Sequence, residues 1–349
     1  MQRRKTKEIK IGNKKIGNNN PILVQSMCNT DTSDAKATIA QIRQLEKAGC
    51  EIIRVSVPDM KAAEALKEIK KNISIPLVAD IHFDYRLAVA SAPYVDKLRI
   101  NPGNIGSIDK VKQVVDAANK YHLPIRIGVN SGSIEKEIQE KYGYTAEALF
   151  ESVKKNVKIL EDLDFHNIVI SAKMSDVNDT VRVYRMISKE YDYPLHVGVT
   201  EAGTLLSGSI KSSLGIGILL NEGIGDTIRI SLTDDPVREI EVGFNILQFL
   251  DIRRTKREII SCPTCSRTKV DLISIAKEVE EKTKDIKVPL KIAVMGCVVN
   301  GPGEARNTDI GVACGDKQGA IFRKGKVIKT VAEDKIVEEL LKEIKNLIK

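Results

Sequence analysis

The sequence predicts a (β/α)8 barrel followed by a small α/β domain. Three observations carry that prediction. From residue 22 to about 250, eight short apolar runs alternate with amphipathic helical stretches. Near the C-terminal ends of most of those runs, polar side chains recur two residues apart. Beyond residue 255 the alternation stops, and four of the six cysteines lie there.

The strand candidates, in order, are "ILVQSM", "EIIRVSV", "PLVADIH", "DKLRINP", "PIRIGVN", "NIVISAK", "PLHVGVT" and "DTIRISL". Each is followed by a segment whose apolar residues recur at three and four positions, the period of a helix packed on one face. After the first strand this segment is "DAKATIAQIRQLEKAG", with Gly49 placed where a left-handed cap is cheap. Strand and helix units of roughly 30 residues in such a span match a TIM barrel. A doubly wound open sheet is the rival, but no GxGxxG follows the first strand. The expected domains are residues 1–255 for substrate binding and 256–349 for a metal-bearing unit. The second holds a helix ("DLISIAKEVEEKT"), a strand ("LKIAVMG"), a glycine-rich loop ("NGPGEARNTD"), two short strands and a final amphipathic helix.

Composition narrows the function classes. The 349 residues are 42% hydrophobic and 29% charged, ordinary for a globular protein, and two domains suit that length. No run of about 18 apolar residues occurs, so no membrane helix is expected. The basic start "MQRRKTKEIKIGNKK" lacks an apolar h-region, so the expected location is the cytoplasm, where clustered cysteines bind metal more often than they pair. Net charge is +8 but aromatics are 4%, which argues against stacking on nucleic-acid bases.

The polar pairs on the strands are Arg54 and Ser56, Asp80 and His82, Arg99 and Asn101, Arg126 with Asn130, Ser171 and Lys173, His196 with Thr200, and Arg229 and Ser231. Residues two apart share a strand face. A structural barrel interior is filled with Val, Ile and Leu, and an unpaired buried charge costs on the order of several kcal/mol. Repetition over most of the strands therefore marks a site at the C-terminal rim. Arg54, Arg99, Arg126, Lys173 and Arg229 are opposed only by Asp80 and Glu201, so the expected ligand is a compact polyanion such as a diphosphate. The loop "NPGNIG" after the fourth strand could add backbone N–H donors. His82, His196, Asp80 and Glu201 are the groups available for proton transfer. His122 and His166 precede strands, at the opposite rim, and read as structural.

Cys262 and Cys265 in "SCPTCSRTK", with Cys297 in "MGCVVNGPGEA", make a three-thiolate set. Zinc ribbons want a second CxxC or a histidine pair, and neither is present. Three thiolates suit an iron–sulfur cluster with one weaker ligand, for which Glu304, Cys314 and Cys28 are candidates. Cys50 begins a strand and reads as core. A cluster that delivers single electrons, beside a cationic cup, implies reduction of a phosphorylated small molecule.

The motifs "VQSMCNTDT", "LVADIHFDYRLA", "KLRINPGNIG", "IRIGVNSGS", "HVGVTEAG", "CPTC" and "MGCVVNGPGEA" span nearly the whole chain. Together they resemble the 4-hydroxy-3-methylbut-2-en-1-yl diphosphate synthase family in its two-domain bacterial form; that family usually has Thr at the position of Cys28. The resemblance implies a pteroate-synthase-like barrel and a small ferredoxin-like, sulfite-reductase-type domain with a [4Fe-4S] cluster on Cys262, Cys265, Cys297 and Glu304. It implies reductive opening of 2-C-methyl-D-erythritol 2,4-cyclodiphosphate, with electrons from flavodoxin or ferredoxin. It also implies a homodimer in which the cluster domain of one subunit closes over the barrel of the other. Within that frame Arg54, Arg99, Asn101, Arg126, Asn130, Lys173, Arg229 and Ser231 are expected to hold the diphosphate, with His196 and Thr200 beside it. Glu201 is the expected proton donor, with His82 or Asp80 next. The competing classes are a pterin-binding transferase, which leaves the cysteines unexplained, and a zinc-containing basic nucleic-acid binder.

Overall fold

The computed structural model describes residues 2–297, 303 and 306–348. The chain forms two compact units, divided between Leu250 and Asp251. In the first, β1 (Ile9–Ile11) and β2 (Lys14–Ile16) make an antiparallel hairpin. The barrel strands follow as β3 (Leu23–Met27), β4 (Ile52–Ser56), β5 (Leu77–Asp80), β6 (Lys97–Ile100), β7 (Ile125–Asn130), β8 (Ile168–Lys173), β9 (His196–Val197) and β10 (Thr227–Ile228). They lie parallel in the order β8-β7-β6-β5-β4-β3-β10-β9, and a parallel bridge from Ile170 to Leu195 brings β8 to β9. The eight-stranded sheet thus nearly closes into the barrel that the strand count predicts.

Helices return the chain between strands, and their starts are fixed chemically. Asp34, Asp59, Asp84, Thr145, Asp176 and Asp235 each accept a backbone N–H from the first turn of the helix that follows. Each such cap stabilises its helix by about 1 kcal/mol. The helix Ala35–Ala48 ends at Gly49, whose φ of 104° is left-handed as the sequence predicts. Outward strand residues such as Ile53, Val55, Leu98, Ile100 and Ile127 are fully buried beneath these helices.

Following the registers round the barrel, alternate strands bring their inward side chains to common levels. Ile52, Lys97, Val169 and Thr227 share the lowest of four. Above them come Gln25, Val78, Arg126 and His196, then Arg54, Arg99, Ser171 and Arg229, then Met27, Asp80, Gly128 and Gly198. Met27 apart, the apolar residues of these levels therefore lie in the lower half of the lumen. There Ile9, Ile11 and Ile16 of the hairpin pack with Leu23, Ile52, Val78 and Val169.

The second unit is a five-stranded sheet in sequential order: β11 (Glu258–Ser261), β12 (Lys291–Met295), β13 (Ile310–Gly315), β14 (Gln318–Arg323) and β15 (Lys326–Ala332). β11, β12 and β13 are parallel, and β13, β14 and β15 antiparallel. The sequence leads one to expect two strands after the glycine-rich loop, and the structure has three. Lys324 and Gly325, both at positive φ, make the tight turn that separates β14 from β15. Helices Leu272–Lys282 and Ile336–Ile348 bury Leu272, Ile275, Val279, Ile336, Leu340 and Ile344 with Ile292, Val294, Val312 and Cys314 of the sheet.

Candidate active site

Arg54, Arg99, Arg126, Asn130, Lys173, Thr200, Arg229 and Ser231 line one concavity of about 40 Å³, together with Gly128 and Ser171. They come from strands β4, β6, β7, β8 and the ends of β9 and β10, so residues far apart in sequence converge as the shared strand face requires. Asn101 and His196 are outside that lining. Asn101 is buried with both side-chain polar atoms unpartnered among the described residues. His196 lies level with Arg126, and its Nδ1 is 2.8 Å from Thr227 Oγ1. Burial first, then Arg126, Lys173 and Lys97, hold its imidazole well below the ordinary range, which favours the neutral ring.

Two glycines make room for the cations. A Cβ at Gly128 would stand 2.2 Å from Arg99 Nε, and one at Gly198 would stand 2.7 Å from Lys173 Nζ. A side chain at either position would push the cation aside, and at Gly198 it would also meet the Arg229 carbonyl oxygen at 2.4 Å. Asp80 stands behind the pocket, accepting 2.7 Å from Arg99 and lying 3.6 Å from Arg54 Nε. Arg99 also donates to the Gly128 carbonyl at 2.8 Å. Burial alone would raise the Asp80 carboxyl. Arg54, the His82 hydrogen bond, Arg99 and Arg126 outweigh burial and hold it well below the ordinary carboxylate range.

The charge balance is uneven. Arg54, Lys97, Arg99, Arg126 and Lys173 are all buried and Arg229 nearly so, while Asp80 and Glu239 are the buried carboxylates among them. Burial pushes Arg54 down to about 10, and Lys173 and Arg126 well below their ordinary values, with neighbouring arginines adding to the effect. Such mutual repulsion in a desolvated site is relieved by a polyanion.

Sequence reasoning missed Glu239 and Lys97. Glu239, on the helix Pro236–Phe249, lies 3.3 Å from Arg229 and accepts from Ser26 Oγ and the Leu232 N–H, each at 3.0 Å. Its signal was a carboxylate inside the apolar stripe with Ile240, Gly243 and Ile246. Lys97 precedes Arg99 by two and shares its face. The loop "NPGNIG" forms the short helix Pro102–Ile105, and its Gly103 N–H already donates to Asn156 Oδ1 at 2.7 Å.

His82 is half exposed, with Nε2 3.2 Å from Arg99 and 3.7 Å from Asp80. Glu201 follows β9, exposed and at a φ of 51°, a left-handed backbone that non-glycine residues rarely adopt.

In the second unit Cys262, Cys265 and Cys297 line a hollow of about 90 Å³ with Pro263, Arg267, Thr268 and Met295. Ser261 pairs with Val294, so Cys262 and Cys297 leave adjacent parallel strands at the same end. The Gly296 N–H donates to Cys262 Sγ at 3.2 Å. Among the described residues no three His, Cys, Asp or Glu side chains are gathered closely enough to hold a metal ion. Glu304 lies outside the described residues. Cys314 is fully buried in the aliphatic core, where burial pushes its thiol up to about 12. Cys28 is raised to about 12 in the same way, so neither is a ready thiolate donor.

Fold and pocket together define a barrel enzyme for a multiply charged anion, joined to a second unit that presents a soft donor set. Residues 6–244 match the GcpE TIM-barrel domain, and residues 258–346 match the GcpE protein C-terminal domain. A protein of Caldanaerobacter subterraneus subsp. tengcongensis is 62% identical over 349 residues, covering 99% of this chain and 98% of its own length. One of Fusobacterium nucleatum is 57% identical, with 98% and 97% covered. Both bear the name 4-hydroxy-3-methylbut-2-en-1-yl diphosphate synthase (flavodoxin). The dihydropteroate synthase of Stenotrophomonas maltophilia shares the barrel fold at a TM-score of 0.51 and 12% identity, over 70% of this chain and 98% of that one. The chain belongs to the GcpE family. No helix among the described residues is long and apolar enough to cross a membrane.

Proposed function

We propose that this chain opens the ring of 2-C-methyl-D-erythritol 2,4-cyclodiphosphate and dehydrates it to (E)-4-hydroxy-3-methylbut-2-enyl diphosphate. Two electrons and two protons enter and one water leaves, with reduced flavodoxin or ferredoxin as donor. The observation that carries the reading is the buried cationic pocket, whose lining matches the charge of a diphosphate; the names of the 62% and 57% identical relatives supply the reaction.

Three cysteines lining one hollow, with a backbone N–H aimed at one sulfur, fit the donor set of a [4Fe-4S] cluster. We assign Cys262, Cys265, Cys297 and Glu304 as its ligands. When bound, the cluster supplies single electrons and a Lewis-acidic iron. The chain's own residues do the rest. Arg54, Arg99, Arg126, Lys173 and Arg229 hold the diphosphate and stabilise negative charge as the ring oxygen departs. Asn130, Thr200 and Ser231 orient it with neutral hydrogen bonds, and Asn101 and His196 back the lining from outside it. Glu201, exposed beyond β9, donates the proton to the leaving hydroxyl. His82 is the second choice, and Asp80 the weakest, because its neighbours keep it ionised. Residues 1–255 are thus the substrate domain and 256–349 the electron-delivering one, working as a homodimer whose active site is shared between subunits.

An anaerobic assay with the cyclodiphosphate and reduced flavodoxin tests this reading, comparing wild type, Cys297→Ser and Glu201→Gln. Loss of product in both variants, with diphosphate binding retained, is expected. Equal turnover in wild type and Cys297→Ser overturns the cluster assignment, and full turnover in Glu201→Gln moves the proton to His82.

A further inference from the structure

Beneath the pocket lies a group that the proposed reaction does not use. Lys97 is wholly buried, and its Nζ has no hydrogen-bond partner among the described residues. Its own level holds Ile52, Val169 and Thr227; the level above holds Gln25, Val78, Arg126 and His196. The charged and titratable groups that act on it are Arg126 from β7, Arg54 from β4 and His196 from β9. No carboxylate is among them; Asp80, the inward carboxylate of β5, stands three levels higher and is committed to Arg99 and Arg54. Arg126, which forms part of the pocket floor, also has Nε and one terminal nitrogen without partners among the described residues.

An amine in this place has one cheap way to become charged, which is for negative charge to arrive above Arg126. We propose that Lys97 is a specificity-determining residue that binds a proton from solvent when a diphosphate fills the pocket, and so favours two phosphoryl groups over one. It does not touch the ligand and acts through the floor that Arg126 forms. Burial, with Arg126 and Arg54 adding to it, pushes the empty-site ammonium well below its ordinary value, as this role requires. A monophosphate brings less charge and falls short of the cost of desolvating the ammonium. The inference rests on reading the pocket as a diphosphate site.

Titration calorimetry tests it with inorganic pyrophosphate and inorganic phosphate, in buffers of different ionisation enthalpy at one pH near neutrality. Wild type is expected to take up more protons with pyrophosphate than Lys97→Met does. The variant is expected to lose about tenfold or more in pyrophosphate affinity while phosphate affinity changes less than about threefold. Equal proton uptake in the two proteins, or equal loss for both ligands, overturns the inference and leaves the diphosphate pocket standing. If pyrophosphate and the cyclodiphosphate both fail to bind wild type, the pocket reading falls and the inference with it. Should Lys97→Met not fold, Lys97→Gln is read by the same criteria.

Discussion

The barrel pocket and the cysteine hollow are built on opposite plans. In the barrel, each cation stands on a strand or at its end, and the ladder, two close-fitting glycines and Asp80 fix where it points. In the second unit, Cys262 and Cys265 stand on the loop just past β11 and Cys297 just past β12. The first plan places repelling charges before any ligand arrives, so recognition is prepaid in folding energy. On the proposed function, the second brings together thiols that a cofactor would complete, so geometry there would depend on what binds. If the proposed function holds, substrate recognition and electron supply should therefore be separable by mutation.

The largest expected effect separates them most cleanly. Cys297→Ser should lower turnover by roughly a thousandfold or more, as loss of an essential group does, while pyrophosphate binding to the barrel measured by calorimetry stays within about twofold. Arg126→Met should do the reverse. It is expected to weaken diphosphate binding by about 2–3 kcal/mol and leave iron and sulfide content unchanged, while thermal unfolding of the ligand-free protein moves upward because a buried unpaired cation is gone.

Glu239→Gln probes the barrel side alone. Removing the charge that faces Arg229 should cost about 1–3 kcal/mol of stability, read from denaturant unfolding. A pH series follows from the lysines. Lys97 and Lys173 have folded values well below the ordinary 10.5. Between the folded value and 10.5 the unfolded chain holds a proton that the folded one lacks, so ligand-free stability should rise with pH across that window, by up to about 1.4 kcal/mol per pH unit for each group. Diphosphate should flatten the rise. The smallest effect belongs to Cys314→Ala, which should cost about 1–2 kcal/mol through lost core packing and leave iron content as in wild type.

Much of this was legible in the sequence for a physical reason. A strand repeats every two residues, so a polar residue among valines and isoleucines declares its face, and the period alone groups Arg54, Arg99, Arg126, Lys173 and Arg229. Lys97 escaped because a lysine at the start of a strand reads as a solvated edge, and only the ring of registers shows that its level is enclosed. Glu239 escaped because a lone carboxylate in a helix is ordinary until its partner on another strand is known. His196 and Asn101 shared the strand pattern, yet they stand outside the lining, since periodicity gives the face and not the depth. The isoleucines of β1 and β2, spaced between lysines in "IKIGNKKI", were too few to signal that they pack into the barrel.

Those isoleucines also close the lower end of the barrel. Because they plug the lower end, the lumen is a blind well with one door, and whatever enters must leave the same way. A product that keeps its diphosphate departs against the charge that drew the substrate in. Product release that quickens as salt is added is the expected signature, readable by pre-steady-state kinetics.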